Sequence, residues 1–364
     1  MSAADLRRWS AAQAWEWYRA RPWPCGFNYV PSNAISYTEM FLPDCFCPAL
    51  IDREMAVAQM VGFNCVRVVL PFVVWEHDPA AFKERLAEFF TVCNRRGLTV
   101  IPALFDDCAF GPVTDPVYGP QPAVVPGWYA NGWTPSPGHA LVSDSTQWPR
   151  LEKYVTDILT TFRDDRRILA WDLYNEPTNS NLGDATVPLV DRVFDLARAV
   201  VPSQPLTVGV FGTEAMRRLA WERSDILTFH NYEGRASLLA EIRALADAGR
   251  PILCTEWLNR NLGSTVAECL PLFATEDVGC LHWGLVNGRT QTNLNTDHRP
   301  GDPAPPQWQH DLFHTDLTHY DPHEIDLFQH IITTARLRAT KEYGLTVNRQ
   351  TTQTQCKKMQ GEVL

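Results

Sequence analysis

Two glutamates close apolar runs far apart in the chain. Glu176 ends residues 168–177, ILAWDLYNEP, where Pro177 cannot donate a ladder hydrogen bond and so stops a strand. Glu256 ends the run in residues 251–257, PILCTEW. Other polar side chains hold comparable places: Arg67 in NCVRVVL, Asp106 and Asp107 after LTVIPALF, Asn175 beside Glu176, His230 and Tyr232 in ILTFHNY. Trp283 stands in GCLHWGLV. Two carboxyls in unlike surroundings can divide labour, one protonated near neutral pH and the other ionised. Arg67 and Tyr232 beside Glu256 would keep that group ionised. Glu176 has only apolar or amide neighbours in sequence, so it is the one expected to carry a raised pKa.

These residues need elements that bring them together. Strand-like runs cover residues 25–30, 64–70, 98–105, 168–177, 206–211, 226–232, 251–257 and 279–286. In the fourth, Leu169, Trp171 and Leu173 read as one face and Ala170, Asp172 and Tyr174 as the other. Helical patterns fill residues 49–61, 79–96, 148–162, 187–200, 236–248 and 265–275, with a leading helix at 5–20 and a trailing one at 322–337. Gly62 is placed to cap the helix before the second strand. Eight strands alternating with helices predict a (β/α)8 barrel, whose strand C-termini meet at one mouth. A doubly wound sheet would favour a glycine-rich turn after the first strand, and FNYVPSNA has none. Long loops follow strand 3 (108–147) and strand 8 (287–320), and loops of that length tend to be functional. Residues 1–343 read as one catalytic domain with an N-terminal helical extension, and 344–364 as a polar, flexible tail.

Paired carboxylates at one mouth suit glycoside hydrolysis. The whole set resembles the clan A retaining glycosidases, most closely family 5, the cellulase-like family, over roughly residues 26–286. That resemblance implies a (β/α)8 barrel and a double displacement. It implies Glu176 as acid/base, Glu256 as nucleophile and Asn175 as the residue binding the sugar 2-hydroxyl. Arg67 and Tyr232 would orient the nucleophile, His230 matches the histidine of a His-x-Tyr strand six, and Trp283 would lie under the sugar. The two carboxyls are then expected about 5–5.5 Å apart. The third strand departs from the family, ending Phe105-Asp106-Asp107 where a histidine is usual. Asp107 is the expected sugar contact there, with Asp106 the alternative. Trp128, Tyr129, Trp133 and Trp308 are candidates for stacking on sugar rings, and His139 is a weaker subsite candidate. Glucosyl, mannosyl and xylosyl β-linked substrates all fit. A transglycosylase with the same intermediate and a non-catalytic carbohydrate-binding barrel are the alternatives.

Composition narrows the rest. Formal net charge is −10 and no basic run appears, which argues against nucleic acid as a partner. No stretch of 18 apolar residues is present, so no membrane span is expected. Residues 1–20 lack the apolar core of a signal peptide, and a cytoplasmic location is expected. The ten cysteines include a lone C-x-C, Cys45-Phe46-Cys47, and read as free thiols rather than a disulfide framework. Zinc-ligand spacings, a phosphate loop and strand lysines are all missing, so neither metal nor cofactor is expected.

Overall fold

The computed structural model describes residues 8–343. Its strands are β1 (Cys25–Asn28), β2 (Cys65–Val69), β3 (Thr99–Ala103), β4 (Trp171–Asn175), β5 (Leu206–Gly209), β6 (Leu227–His230), β7 (Ile252–Glu256) and β8 (Gly279–Trp283). They form one eight-stranded sheet in the order β5-β4-β3-β2-β1-β8-β7-β6, and every paired neighbour is parallel. The seam between β5 and β6 has a single parallel bridge, Val210 to Phe229. Threonine hydroxyls supplement it: Thr207 Oγ1 donates to Ile226 O (2.9 Å) and Thr228 Oγ1 to Val208 O (2.8 Å). This is the (β/α)8 barrel that the alternation of runs predicts.

The strands are shorter than the apolar runs that contain them, because the last residues of several runs bend out into the mouth loops. The helices fall close to expectation: Pro48–Val61, Pro79–Arg95, Trp148–Thr161, Val187–Val200, Arg235–Ala246, Val266–Thr275 and the closing Pro322–Tyr343. Gly62 caps the first of these in the left-handed region (φ +101°), donating back to Ala58 O. One crossover helix, Glu214–Arg223, escapes the sequence pattern. It buries only Met216 and Ala220, so its apolar stripe is too thin to read.

Two apolar layers hold the barrel. Helices pack around its outside in one large core. Inside, at the N-terminal end of the strands, Cys65, Ile101, Leu253 and Leu281 meet Ala14, Trp17 and Tyr18 of the helix Ala11–Arg19, which plugs the bottom. Above this plug the inward positions turn polar. The nine described cysteines are free thiols. No described helix is long and apolar enough to cross a membrane. The expected flexible tail, 344–364, lies outside the described residues.

Candidate active site

Both strands that carry the glutamates take on an extra residue just before them. Between β4 and β5 the register runs Asp172 with Thr207 and then Asn175 with Gly209, three steps against two. Between β6 and β7, Phe229 faces Cys254 and His230 faces Glu256, so Thr255 is the extra residue. Such bulges re-aim the side chains that follow them. Strict alternation therefore fails in β4. Asp172 reaches Arg67 inside the barrel, while Tyr174 packs on Phe105 and donates to Asp107 Oδ1 (2.6 Å).

Arg67 is the hub. Its five N–H donors are all engaged: Nε and Nη2 on Asp172 Oδ2 (2.9 and 2.7 Å), Nη2 on Asn175 Oδ1 (2.6 Å), Nη1 on Asn28 Oδ1 and Glu256 Oε1 (both 2.8 Å). A buried guanidinium needs this pairing. It ties β1, β2, β4 and β7 together and fixes Glu256. Tyr232 donates to the other oxygen, Glu256 Oε2 (2.7 Å).

Glu176 is held differently. Its Oε1 contacts His230 Nδ1 (2.7 Å), and its Oε2 accepts from Cys108 Sγ (3.1 Å) and Asn179 Nδ2 (2.5 Å). His230 Nε2 rests on Thr255 Oγ1 (3.1 Å), and its Nδ1 lies 3.5 Å from Glu256 Oε2. One oxygen of Glu176, one of Glu256 and a His230 nitrogen all lie within 4.8 Å of one another. The expected raised pKa of Glu176 is not found. Burial works to raise it, but the hydrogen bond and charge of His230, with Cys108 and Asn179, bring the carboxyl below its ordinary value. His230 moves the opposite way: burial opposes its charge, and Glu256 and Glu176 more than offset that, raising its pKa. The cation that sequence neighbours lack comes from β6.

Glu176 also sits at φ +40°, an unusual conformation for a side chain preceding proline, followed by Thr178 at φ +83°. Asp107 braces that turn. Its Oδ2 accepts from Thr178 N (2.8 Å) and Thr186 Oγ1 (2.7 Å). Asp107 is thus saturated and turned away from the mouth, against the expectation that it touches sugar. Asp106 is also fully buried, behind Asn175 and Trp133, accepting from Asn175 Nδ2 (2.8 Å), Trp133 Nε1 (2.9 Å) and Cys108 N (2.9 Å). Burial pushes both carboxyls up, Asp106 to about 7 and Asp107 to about 6, against the bonds each accepts.

A cavity of about 260 Å³ opens at the mouth, near the lower limit of ligand pockets. Arg67, Asn175, Glu176, Tyr232, Glu256, Trp283 and Trp133 line it, and His230 stands just behind the two glutamates. Trp133 and Trp283 meet edge to face at 5.3 Å. His139 does not line it; its ring contacts the Asp107 carbonyl (3.0 Å). Of the loop aromatics, Tyr129 and Trp133 reach the cavity. Trp308 is stacked on Tyr320 (4.5 Å) and Trp128 lies under Arg299, so both pin loops. The long loops after β3 and β8 are sewn together by Gln291, whose Nε2 donates to Val125 O (2.9 Å) and Trp128 O (3.1 Å) and whose Oε1 accepts from Gly127 N (2.9 Å). Ala130 N to Thr290 O (2.9 Å) adds a backbone tie. Tyr129, Gln309 and His310 form the resulting wall.

The model of the family "Cellulase (glycosyl hydrolase family 5)" matches residues 45–292. The chain belongs to glycosyl hydrolase family 5. Solved structures share the fold at low identity. The exo-β-1,4-mannosidase Op5Man5 from Opitutaceae bacterium strain TAV5 superposes with a TM-score of 0.60 at 19% identity, over 93% of this chain and 63% of that one. The present chain thus spans under two thirds of that protein's length. GH5_18 from Streptomyces cattleya, in complex with GlcNAc, gives 0.59 at 15% identity, covering 88% of this chain and 81% of that chain. An endo-β-1,4-mannanase from Thermotoga petrophila gives 0.56 at 14%, covering 86% and 77%. No curated protein matches by sequence.

Sequence reasoning passed over several residues that the structure brings to the cavity or its supporting network. Asn28 and Asp172 had a signal, since each is a polar residue in an apolar strand run. Cys108, Asn179, Gln309 and His310 sit on loops, where no periodicity marks an inward face.

Proposed function

We propose that this chain is a retaining β-glycoside hydrolase working by double displacement, with Glu256 as nucleophile and Glu176 as acid/base. The carrying observation is the approach of the two carboxyls, oxygens within 4.8 Å. That approach supports the about 5–5.5 Å spacing of a retaining pair over the about 6.5–9.5 Å that an inverting enzyme needs for its water.

The surroundings suit the two roles. Arg67 and Tyr232 hold Glu256 fixed on both oxygens, so attack on the anomeric carbon needs no reorganisation. The Glu176–His230 pair holds a proton along the Oε1 to Nδ1 contact. In the first half-reaction the proton passes through Glu176 to the leaving oxygen as the C–O bond breaks, and Glu256 bonds to carbon. In the second, the pair takes a proton from water, whose oxygen displaces Glu256. Asn175, fixed by Arg67 and Asp106, would bind the 2-hydroxyl, and Trp283 would lie under the sugar face. The sewn wall closes one side of a small cavity, which supports action on short chains or chain ends.

β-Mannosides rank first among substrates, because mannosidases and mannanases recur among the similar structures. A panel of nitrophenyl β-glycosides and short oligosaccharides tests the proposal, with Glu176→Ala and Glu256→Ala as controls. NMR of the first-released anomer should show retention. Inversion, or full turnover by Glu256→Ala, would remove the assignment. Sugar binding by wild type without turnover of any glycoside would favour a binding barrel.

A further inference from the structure

We propose that Cys108 is a positioning residue for Glu176, its thiol donating to Oε2 and setting the pH at which that carboxyl yields its proton. This rests on the acid/base reading of Glu176.

The geometry gives the thiol a direction. Sγ lies 3.1 Å from Glu176 Oε2, while Asn179 Nδ2 (3.3 Å) and Asn175 Nδ2 (3.6 Å) donate toward the sulfur. With amides on the acceptor sides, the sulfur's own hydrogen is left to point at the carboxylate. The backbone N–H of Cys108 donates to Asp106 Oδ1, which anchors the residue at the cavity edge. Reactive thiols need a neighbouring cation. Here the sulfur is buried among Asp106, Glu176 and Glu256, and burial foremost, then those charges, push its pKa up. The proton therefore stays on sulfur through the cycle.

A donor to a carboxylate favours the ionised form. Cys108 thus loosens the proton that the Glu176–His230 pair must hand over. Around Glu176 stand His230 from β6, Glu256 from β7, Tyr232 and Tyr129, with Asp106 and Arg67 behind Asn175. Those groups are all kept when Cys108 alone is changed, so the difference reports the thiol.

The test is the pH profile of kcat/KM for wild type, Cys108→Ala and Cys108→Ser on an aryl β-glycoside. Removing the donor raises the proton affinity of the pair, so the basic limb of the alanine variant should move up by about half to one pH unit. Serine, which still donates, should bring it back toward wild type. A basic limb that stays put or falls in Cys108→Ala, or a serine variant identical to alanine, overturns the proposal. Infrared difference spectra of wild type against Glu176→Gln give a readout independent of activity and of the alanine variant's folding. The S–H stretch should move to higher frequency when the carboxylate is replaced, and an unmoved band overturns the proposal equally. Azide rescue of Glu176→Ala examines the acid/base reading separately, so failure of one is not mistaken for failure of the other.

Discussion

Two buried arginines stand at opposite ends of this barrel. At the N-terminal end, Arg198 grips Asp225 through Nη1 and Nη2 (2.8 and 2.7 Å). Asp225 also accepts from Trp9 N (2.7 Å) and Leu206 N (2.8 Å), so every lone-pair direction is answered by protein. At the mouth, Arg67 has its donors equally filled, yet the carboxylate it holds, Glu256, lines an open cavity. The two networks use the same chemistry. What separates them is where the last acceptor faces. A closed network returns its desolvation cost as rigidity, while one open on a cavity keeps a charged, fixed group for a ligand.

Variants can break or sharpen that contrast. Glu256→Gln should lower kcat by roughly 10⁴- to 10⁶-fold while leaving the fold intact, read from steady-state rates beside a denaturation curve. A large loss of stability instead would make Arg67 and Glu256 another closed strut. Glu176→Ala should cost about 10²- to 10⁴-fold on substrates with poor leaving groups and far less on activated aryl glycosides. Equal losses on both would detach Glu176 from proton transfer. Asp225→Ala strands Arg198 in the interior and should cost about 3–5 kcal/mol of unfolding free energy, with kcat of the folded fraction unchanged.

Asp311 tests an intermediate case in the wall loop, a buried carboxyl bonded by Thr292 (2.9 Å) rather than gripped by a guanidinium. Burial pushes its pKa up to about 7, with Thr292 and Arg260 opposing. The folded state therefore binds the proton more tightly than the unfolded chain. That contribution is fully present below pH of about 4 and is lost as pH rises through about 7. Urea midpoints should fall less for Asp311→Asn than for wild type over this window. Parallel curves would mean the group titrates normally. The smallest effect is expected from Gln291→Ala, which unpicks the stitching of the wall. Activity on short substrates should drop roughly two- to fivefold while the ratio of polymer to short-chain activity rises. An unchanged ratio would show that the wall does not set chain length.

The barrel was legible because each apolar run and each helix carries its own period, and period is local. Arg67, Glu176 and Glu256 were legible for a related reason: a charge in or ending an apolar run must meet a partner. The errors lie where contacts are non-local. Asp107 reads as a mouth residue from its place after β3, yet its carboxylate turns back to hold Thr178 and Thr186. Its sequence neighbours alone predict a high pKa for Glu176, whereas His230, 54 residues on, supplies the opposing charge.

Sequence alone determined the eight-fold alternation, the acidic pair and its arginine, since burial patterns and unpaired charges are written residue by residue. Tertiary structure decided which way each carboxyl points and how readily it holds a proton. Two bulges turn β4 and β7 at their last residues, and the partners that tune Glu176 arrive from three separate strands and loops. Proton affinity depends on the charges within a few ångströms, and those are set by packing rather than by order along the chain.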